Sequence, residues 1–284
     1  MRLVSFCDHE KNKIGALLGD KVLDFSIACP ELPTDMIQFL CMEAEARQTA
    51  LTAIKNAKYS DLIPEKEITY LPVAVNPEKI LCIGHNYKGH IGIGRTELPE
   101  FPNFFCKTAN TLIGHREGIV LPPVTNEMDY EAELAIIIGK NGKNIPEDEA
   151  YQHIAGYSIF NDVSARDLQK RTSQWFLGKS LDTFAPLGPC LVTVDEISDA
   201  NCLELELSVN GELKQKTNTA DLIFSIPFLV HFLSEMMTLK VGDVIATGTP
   251  SKIPQAANPQ QFLKKGDVIE IKINQLGTLI NSVV

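Results

Sequence analysis

The sequence predicts an α+β fold, mainly β, with a small N-terminal α+β domain. Three observations carry this. Short apolar runs rich in β-branched residues, closed by Gly or turn residues, recur after residue 72, as strands do. A helical pattern over 35–58 lies before that point, with Leu40, Leu51 and Ile54 among good helix formers. A Pro-punctuated connector over 64–77 separates the two regions, which divides the chain into domains 1–72 and 73–284.

The elements follow in order. Residues 3–6, 14–18 and 21–24 read as short strands around turns. After the connector, strands are expected at 79–83, 104–107, 131–138, 155–161, 203–209 and 268–273. Asn210-Gly211 between two such runs marks a hairpin, because its favoured two-residue turn needs positive φ at both positions. Helices are expected at 147–154 and 219–237. Thr219 can cap the second, and Pro227 breaks or restarts it.

At 284 residues and 44% hydrophobic, the chain can bury a proper core. A net charge of −10 argues against nucleic acid, whose binding is driven by Lys and Arg on phosphates. It leaves an anionic substrate open, since one local Lys or metal reverses the sign of a pocket. The seven Cys are odd in number and include no Cys-x-x-Cys, which points to reduced thiols rather than disulfides or a zinc ribbon. No secretory leader pattern opens the chain, and no run of about 18 apolar residues suggests a membrane span. The expected location is cytoplasmic.

Asp129-Tyr130-Glu131-Ala132-Glu133 runs directly into an apolar strand pattern. Alternate side chains of a strand share a face, so Asp129, Glu131 and Glu133 would form a row. Buried carboxylates repel unless a cation lies among them. Hard oxygen ligands without Cys or His suit Mg²⁺, Mn²⁺ or Ca²⁺. An exposed acidic edge is the commoner meaning of an isolated Glu-x-Glu. Three further segments argue for a site: Asp162 after the apolar run 155–160, Lys179 and Asp182 within 175–184, and Thr247-Gly248-Thr249-Pro250 after another apolar run. Each puts polar or small residues at the mouth of a strand. The segment 87–100 holds three Gly directly after a strand, which suits either a lid or an ordinary surface loop.

Read together, these segments resemble the fumarylacetoacetate hydrolase family from about residue 78 to the end. The marks are Gly84-His85-Asn86-Tyr87 with His90, Glu131-Ala132-Glu133-Leu134, and Asn161-Asp162-Val163-Ser164-Ala165-Arg166-Asp167. Gly178-Lys179-Ser180, Asp182-Thr183-Phe184, Val209-Asn210-Gly211-Glu212 and the stretch from Gly242 to Pro250 complete them. The resemblance implies a mixed β-sandwich roll and a homodimer. It implies Mg²⁺ or Mn²⁺ held by Glu131, Glu133 and Asp162, with water and substrate oxygens in the remaining positions. The fourth, upstream carboxylate of the eukaryotic hydrolase is replaced here by the Gly84 to Tyr87 stretch. Asp129 then either supports the ligands or is solvated.

The implied substrate is a small 2-oxo acid. Lys179 would stabilise its enolate or carboxylate, or salt-bridge Asp162 or Asp182. With three carboxylates and one divalent ion, Lys179 would also bring the site to neutrality. Thr249 and the Thr247-Gly248 amides would serve the substrate carboxylate. Gln169 would face the substrate, Arg166 would form a structural ion pair, and Trp175 would wall the pocket or join the core. His90 is the candidate base. The family pairs such a lid His with a Glu three residues on, where this chain has Ile93, so Glu97 or Glu100 would have to take over. The leading expectation is hydrolysis of a C–C bond in a 2,4-dioxo acid such as an acylpyruvate. The alternatives are an oxaloacetate tautomerase or decarboxylase, an isomerase or hydratase of aromatic breakdown, and a non-catalytic metal or metabolite binder.

Overall fold

The computed structural model describes residues 1–8, 10–89, 98–257 and 261–284. Strands β1 (Arg2–Asp8), β2 (Lys11–Leu18) and β3 (Lys21–Asp24) form an antiparallel meander, with β4 (Leu62–Pro64) against β3 and β5 (Thr69–Tyr70) against β1. The expected helix over 35–58 is two helices, Met36–Cys41 and Glu43–Asn56, with Glu43 at a φ of 50° at the join. Asp35 caps the first, its carboxylate accepting from the Gln38 amide.

The remaining strands are β6 (Ile80–Gly84), β7 (Asn103–Lys107), β8 (Leu112–Ile113), β9 (Gly118–Ile119), β10 (Met128–Asp129), β11 (Ala132–Ile138) and β12 (Ile154–Asn161). After them come β13 (Ser164–Ala165), β14 (Ala185–Thr193), β15 (Glu204–Val209), β16 (Glu212–Asn218), β17 (Val244–Ala246), β18 (Val268–Ile273) and β19 (Gly277–Val283). The large sheet runs β4-β3-β2-β1-β14-β12-β11-β17-β6-β7, so the N-terminal meander joins the rest through β1 and β14. A second sheet runs β16-β15-β18-β19-β9. Its turn at Asn210-Gly211 has both residues at positive φ, as the hairpin reading requires.

The central strand β11 is buried on both faces. Leu134, Ile136 and Ile138 enter one core with Leu205, Leu207, Ile269 and Ile271 of the second sheet. Ala135 and Ile137 enter another with Phe25, Met36 and Phe39 of the N-terminal helices. The result is a mixed α/β molecule with two packed sheets and an N-terminal layer. Among the described residues, no helix is long and apolar enough to cross a membrane.

Several elements differ from expectation. The expected helix at 147–154 is a 3₁₀ helix, Glu147–His153. Thr219 opens only a 3₁₀ turn. The helix proper is Ile226–Met236, capped by Ser225, whose hydroxyl accepts from the Phe228 amide. Pro227 sits in its first turn, where a missing N–H breaks no helical bond. Strand β14 was not expected, because Pro186 and Pro189 cannot donate to a ladder. Its pairing with β12 is irregular between Tyr157 and Ile159, opposite that segment.

His115 supplies a test of the packing between the sheets. It is buried, its Nδ1 accepts from the Ile280 amide at 3.1 Å, and its ring stands edge-on to Tyr70. Burial, reinforced by the Arg116 charge, pushes its pKa down from 6.5 to about 4. Between those values the unfolded chain binds a proton that the folded chain refuses. Stability therefore rises with pH across this window, by about 3 kcal/mol in full. His115→Asn, which keeps an acceptor, is expected to remove this contribution from the unfolding free energy between pH 4 and 6.5. An unchanged slope would contradict burial of the neutral imidazole.

Candidate metal and active site

The ladder of β11 and β12 ends with Ala132 opposite Asn161, so Glu131 and Asp162 emerge together just beyond it. The backbone closes this end tightly. The Asp162 amide donates to the Glu131 carbonyl at 2.9 Å, and the Glu131 amide donates to Asn161 Oδ1 at 3.0 Å. The Ala132 amide donates to Gln215 Oε1 at 3.0 Å. Glu133 lies on β11 itself. Oxygens of Glu131, Glu133 and Asp162 all fall within 4.8 Å of one another, and the three residues are only 8%, 1% and 1% exposed.

Asp129 does not continue this row. It belongs to the separate two-residue strand β10, paired with β13, and the chain leaves the ladder between Asp129 and Ala132. Its buried carboxylate accepts from Arg166 Nε at 2.9 Å and from Lys252 Nζ at 2.7 Å. Of the two alternatives for Asp129, support and solvation, the structure has the first.

The charges alternate. Lys252 meets Asp129, Asp129 meets Arg166, and Arg166 Nη2 meets Glu131 Oε1 at 2.6 Å. Lys179 Nζ then bridges Glu131 Oε2 at 2.7 Å and Asp162 Oδ2 at 2.5 Å. Lys107 Nζ ends the chain on Asp162 Oδ1 at 2.6 Å and the Val163 carbonyl at 3.0 Å. The count that gave Lys179 alone as counter-charge is therefore incomplete. Lys179 is not paired with Asp182, which accepts from Asn110 instead.

This arrangement sets the protonation states. Burial opposes the charge on Glu131, but Arg166 and Lys179 outweigh it and hold its carboxyl below the usual range. Burial likewise opposes the charge on Lys179, but Asp162 and Glu131 outweigh it and keep the ammonium protonated. Lys107 goes the other way: its burial lowers it more than Asp162 raises it. Glu133 stands off the chain, with the Gly248 amide as its hydrogen-bond donor at 2.8 Å. Burial, then the charges of Asp162 and Glu131, push it well above the carboxylate range. A divalent cation among the three acids would reverse that push. Three buried carboxylates with hard oxygens fit such an ion, and Glu131, Glu133 and Asp162 could hold it.

A small cavity of about 70 Å³ opens beside the acids. Arg166, Gln169, Lys179 and Thr249 line it together with Glu131 and Glu133. Trp175 walls one side and meets the His85 and Phe105 rings edge-on. Gly84 permits that wall, since a Cβ there would lie 2.6 Å from the Trp175 ring. Gln169 reaches the cavity and also accepts from Arg166 Nη1 at 3.0 Å.

The stretch after β17 is held by Asn86. Its amide donates to the Thr247 carbonyl at 2.8 Å and the Phe224 carbonyl at 3.2 Å, and its oxygen accepts from the Phe224 amide. Gly248 passes so close that a Cβ would sit 2.9 Å from that of Asn86, at a φ of 102°. The expected role of the backbone amides needs correction. The Gly248 N–H goes to Glu133 and the Thr247 N–H to the Leu134 carbonyl, so neither is left for a substrate carboxylate. Thr249 does face the cavity. Its oxygen accepts from Gln215 Nε2 at 3.0 Å, which leaves its own O–H to donate.

His90, Ile93 and Glu97 lie outside the described residues, while Glu100 is exposed. Lys107, Gln215 and Lys252 have no role in the sequence reading. Lys107 alone left a signal there: it shares a strand face with Phe105, and a Lys on an inward face needs a partner. Nothing in the local sequence marks Gln215 or Lys252.

The fumarylacetoacetate (FAA) hydrolase C-terminal family model matches residues 79–284. Oxaloacetate tautomerase fahd2, mitochondrial, of Xenopus laevis is 42% identical over 290 residues, covering 100% of this chain and 90% of that protein. Oxaloacetate tautomerase FAHD2A, mitochondrial, of Homo sapiens is 40% identical over 294 residues, covering 100% and 92%. Among solved structures, maleylpyruvate hydrolase from Sphingobium sp. SYK-6, in complex with manganese(II) ion and pyruvate, has a TM-score of 0.84 at 31% identity, covering 100% and 99%. The mitochondrial names of the tautomerases overturn the cytoplasmic location expected from the sequence. That expectation rested on the lack of a secretory leader pattern and of a membrane span, neither of which carries information on a mitochondrial address. A family match over most of the chain and relatives aligned end to end make this protein an enzyme of the fumarylacetoacetate hydrolase family.

Proposed function

We propose that this enzyme interconverts the enol and keto forms of oxaloacetate, with Mg²⁺ or Mn²⁺ held by Glu131, Glu133 and Asp162. The observation that carries the reading is the charge balance of the buried site. With Glu133 ionised and Lys107 keeping its proton against Asp162, the acids Asp129, Glu131, Glu133 and Asp162 balance the bases Lys107, Arg166, Lys179 and Lys252. A divalent cation adds two positive charges. A dianionic 2-oxo dicarboxylate cancels them, whereas a monoanion would leave a buried charge unmatched. Oxaloacetate is such a dianion, and the names of the relatives agree.

The bound ion would act as a Lewis acid on the 2-oxo carbonyl. The chain's own groups do the rest. Lys179, kept protonated by Asp162 and Glu131, stabilises developing negative charge rather than removing a proton. Thr249, Arg166 and Gln169 line the cavity and orient the carboxylates. His90 is the proposed proton carrier, with Glu97 or Glu100 as partner. A tautomerase asks only that a proton leave carbon and return on oxygen, a lesser demand than orienting a water.

A second reading is hydrolysis of a C–C bond in an acylpyruvate. The likeness to maleylpyruvate hydrolase favours it, and the charge balance admits any acylpyruvate that carries a second carboxylate. An optical assay with Mg²⁺ separates the two. Enol–keto exchange of oxaloacetate is expected to be accelerated more than loss of acylpyruvates. No acceleration of exchange, with rapid loss of an acylpyruvate, would establish hydrolysis instead.

Two substitutions test the roles. Glu131→Gln is expected to weaken Mg²⁺ binding in calorimetry and to abolish turnover; wild-type affinity would contradict its place as a ligand. Lys179→Met is expected to slow turnover at least about tenfold, or about 1.4 kcal/mol of barrier. A near wild-type rate in that variant would refute the role given to Lys179.

A further inference from the structure

We infer that Lys252, which lies outside the cavity, is a positioning residue for the substrate anion, acting through Asp129 on Arg166. The inference rests on the 2-oxo acid reading above. Lys252 follows the cavity-lining Thr249 by three residues and its side chain is only 13% exposed. Its Nζ lies 4.5 Å from the centre of the Tyr130 ring and 2.7 Å from Asp129 Oδ1. The backbone on either side is also fixed: Lys252 bridges to Gln215, and Gln215 holds both Thr249 and the start of β11.

The buried Asp129 carboxylate has one cation per oxygen. Lys252 takes Oδ1 and Arg166 Nε takes Oδ2. This division of labour leaves the other two Arg166 nitrogens free for the site, Nη1 for Gln169 and Nη2 for Glu131. Without Lys252, Oδ1 would keep only the Tyr130 amide at 3.0 Å, and the buried carboxylate would be left with one cation instead of two, which is costly. The donor at hand is the Arg166 fork, whose shape fits a carboxylate through two parallel bonds. Arg166 would turn Nη2 from Glu131 to Asp129 and withdraw from the cavity edge. The cavity would lose a cation that faces the substrate, and Glu131 would lose a competitor for the metal.

The consequence is a divergence that a general loss of structure would not produce. Anion affinity falls while metal affinity holds or rises. Calorimetry on the whole protein reads both, first with Mg²⁺ alone and then with oxalate, a planar non-reacting dianion, at saturating Mg²⁺. Lys252→Met is expected to weaken oxalate about tenfold, or about 1.4 kcal/mol, without weakening Mg²⁺. Lys252→Arg should restore most of the oxalate affinity. In an Asp129→Asn background, where no buried charge calls for a second cation, Lys252→Met should have little further effect, as coupling through Asp129 requires. Unchanged oxalate affinity in Lys252→Met, a parallel fall in Mg²⁺ and oxalate affinity, or full additivity with Asp129→Asn would each overturn the inference. Wild-type protein that binds Mg²⁺ but no oxalate would instead overturn the 2-oxo acid reading on which it rests.

Discussion

Three carboxylates cannot share a buried strand end without counter-charge, and much of this site is the answer to that constraint. Each acid taken from water carries a desolvation cost of several kcal/mol that only close cations and hydrogen bonds offset. The chain from Lys252 through Asp129, Arg166, Glu131, Lys179 and Asp162 to Lys107 supplies a cation on either side of each of its acids. Glu133 is the exception. Its only hydrogen-bond donor named above is a backbone amide, and its raised proton affinity marks the position where positive charge is still needed. The same balance connects to substrate choice, because an added divalent ion asks for an equally charged anion.

The fold serves this chemistry by bringing strand ends from distant parts of the chain to one place. The ladder of β11 and β12 delivers Glu131, Glu133 and Asp162. The antiparallel pairing of β11 with β17 brings Gly248 and Thr249 alongside, and the parallel pairing of β17 with β6 adds Gly84. Strand β7, next to β6, carries Phe105 and Lys107 inward. Because β11 is packed on both faces, its end is held rigidly, and the acids need not be ordered by the metal itself.

The acids were legible in the sequence because each stands beside an apolar run that could only be a buried strand. The Asn210-Gly211 hairpin was legible for the same local reason. What local pattern could not show was long-range pairing. Lys107 meets Asp162 across 55 residues, Gln215 meets Ala132 across 83, and Lys252 meets Asp129 across 123. Strand β14 was hidden by its two prolines; the irregular register with β12 accommodates Pro189, while Pro186 lies beyond that pairing, opposite Ile113 of β8. The position of the helix cap was misread at Thr219 because Ser225, two residues before Pro227, offers a start that Thr219 cannot match. The sandwich roll itself came from resemblance to a family and not from periodicity.

The central claim is that a divalent cation sits among Glu131, Glu133 and Asp162. Crystals of the protein grown with Mn²⁺ and examined by anomalous scattering test it directly. One strong anomalous peak is expected at hard-cation bonding distance, roughly 2.0–2.6 Å, from an oxygen of each of the three residues. A peak elsewhere, or no peak while Lys179 still bridges Glu131 and Asp162, would contradict it.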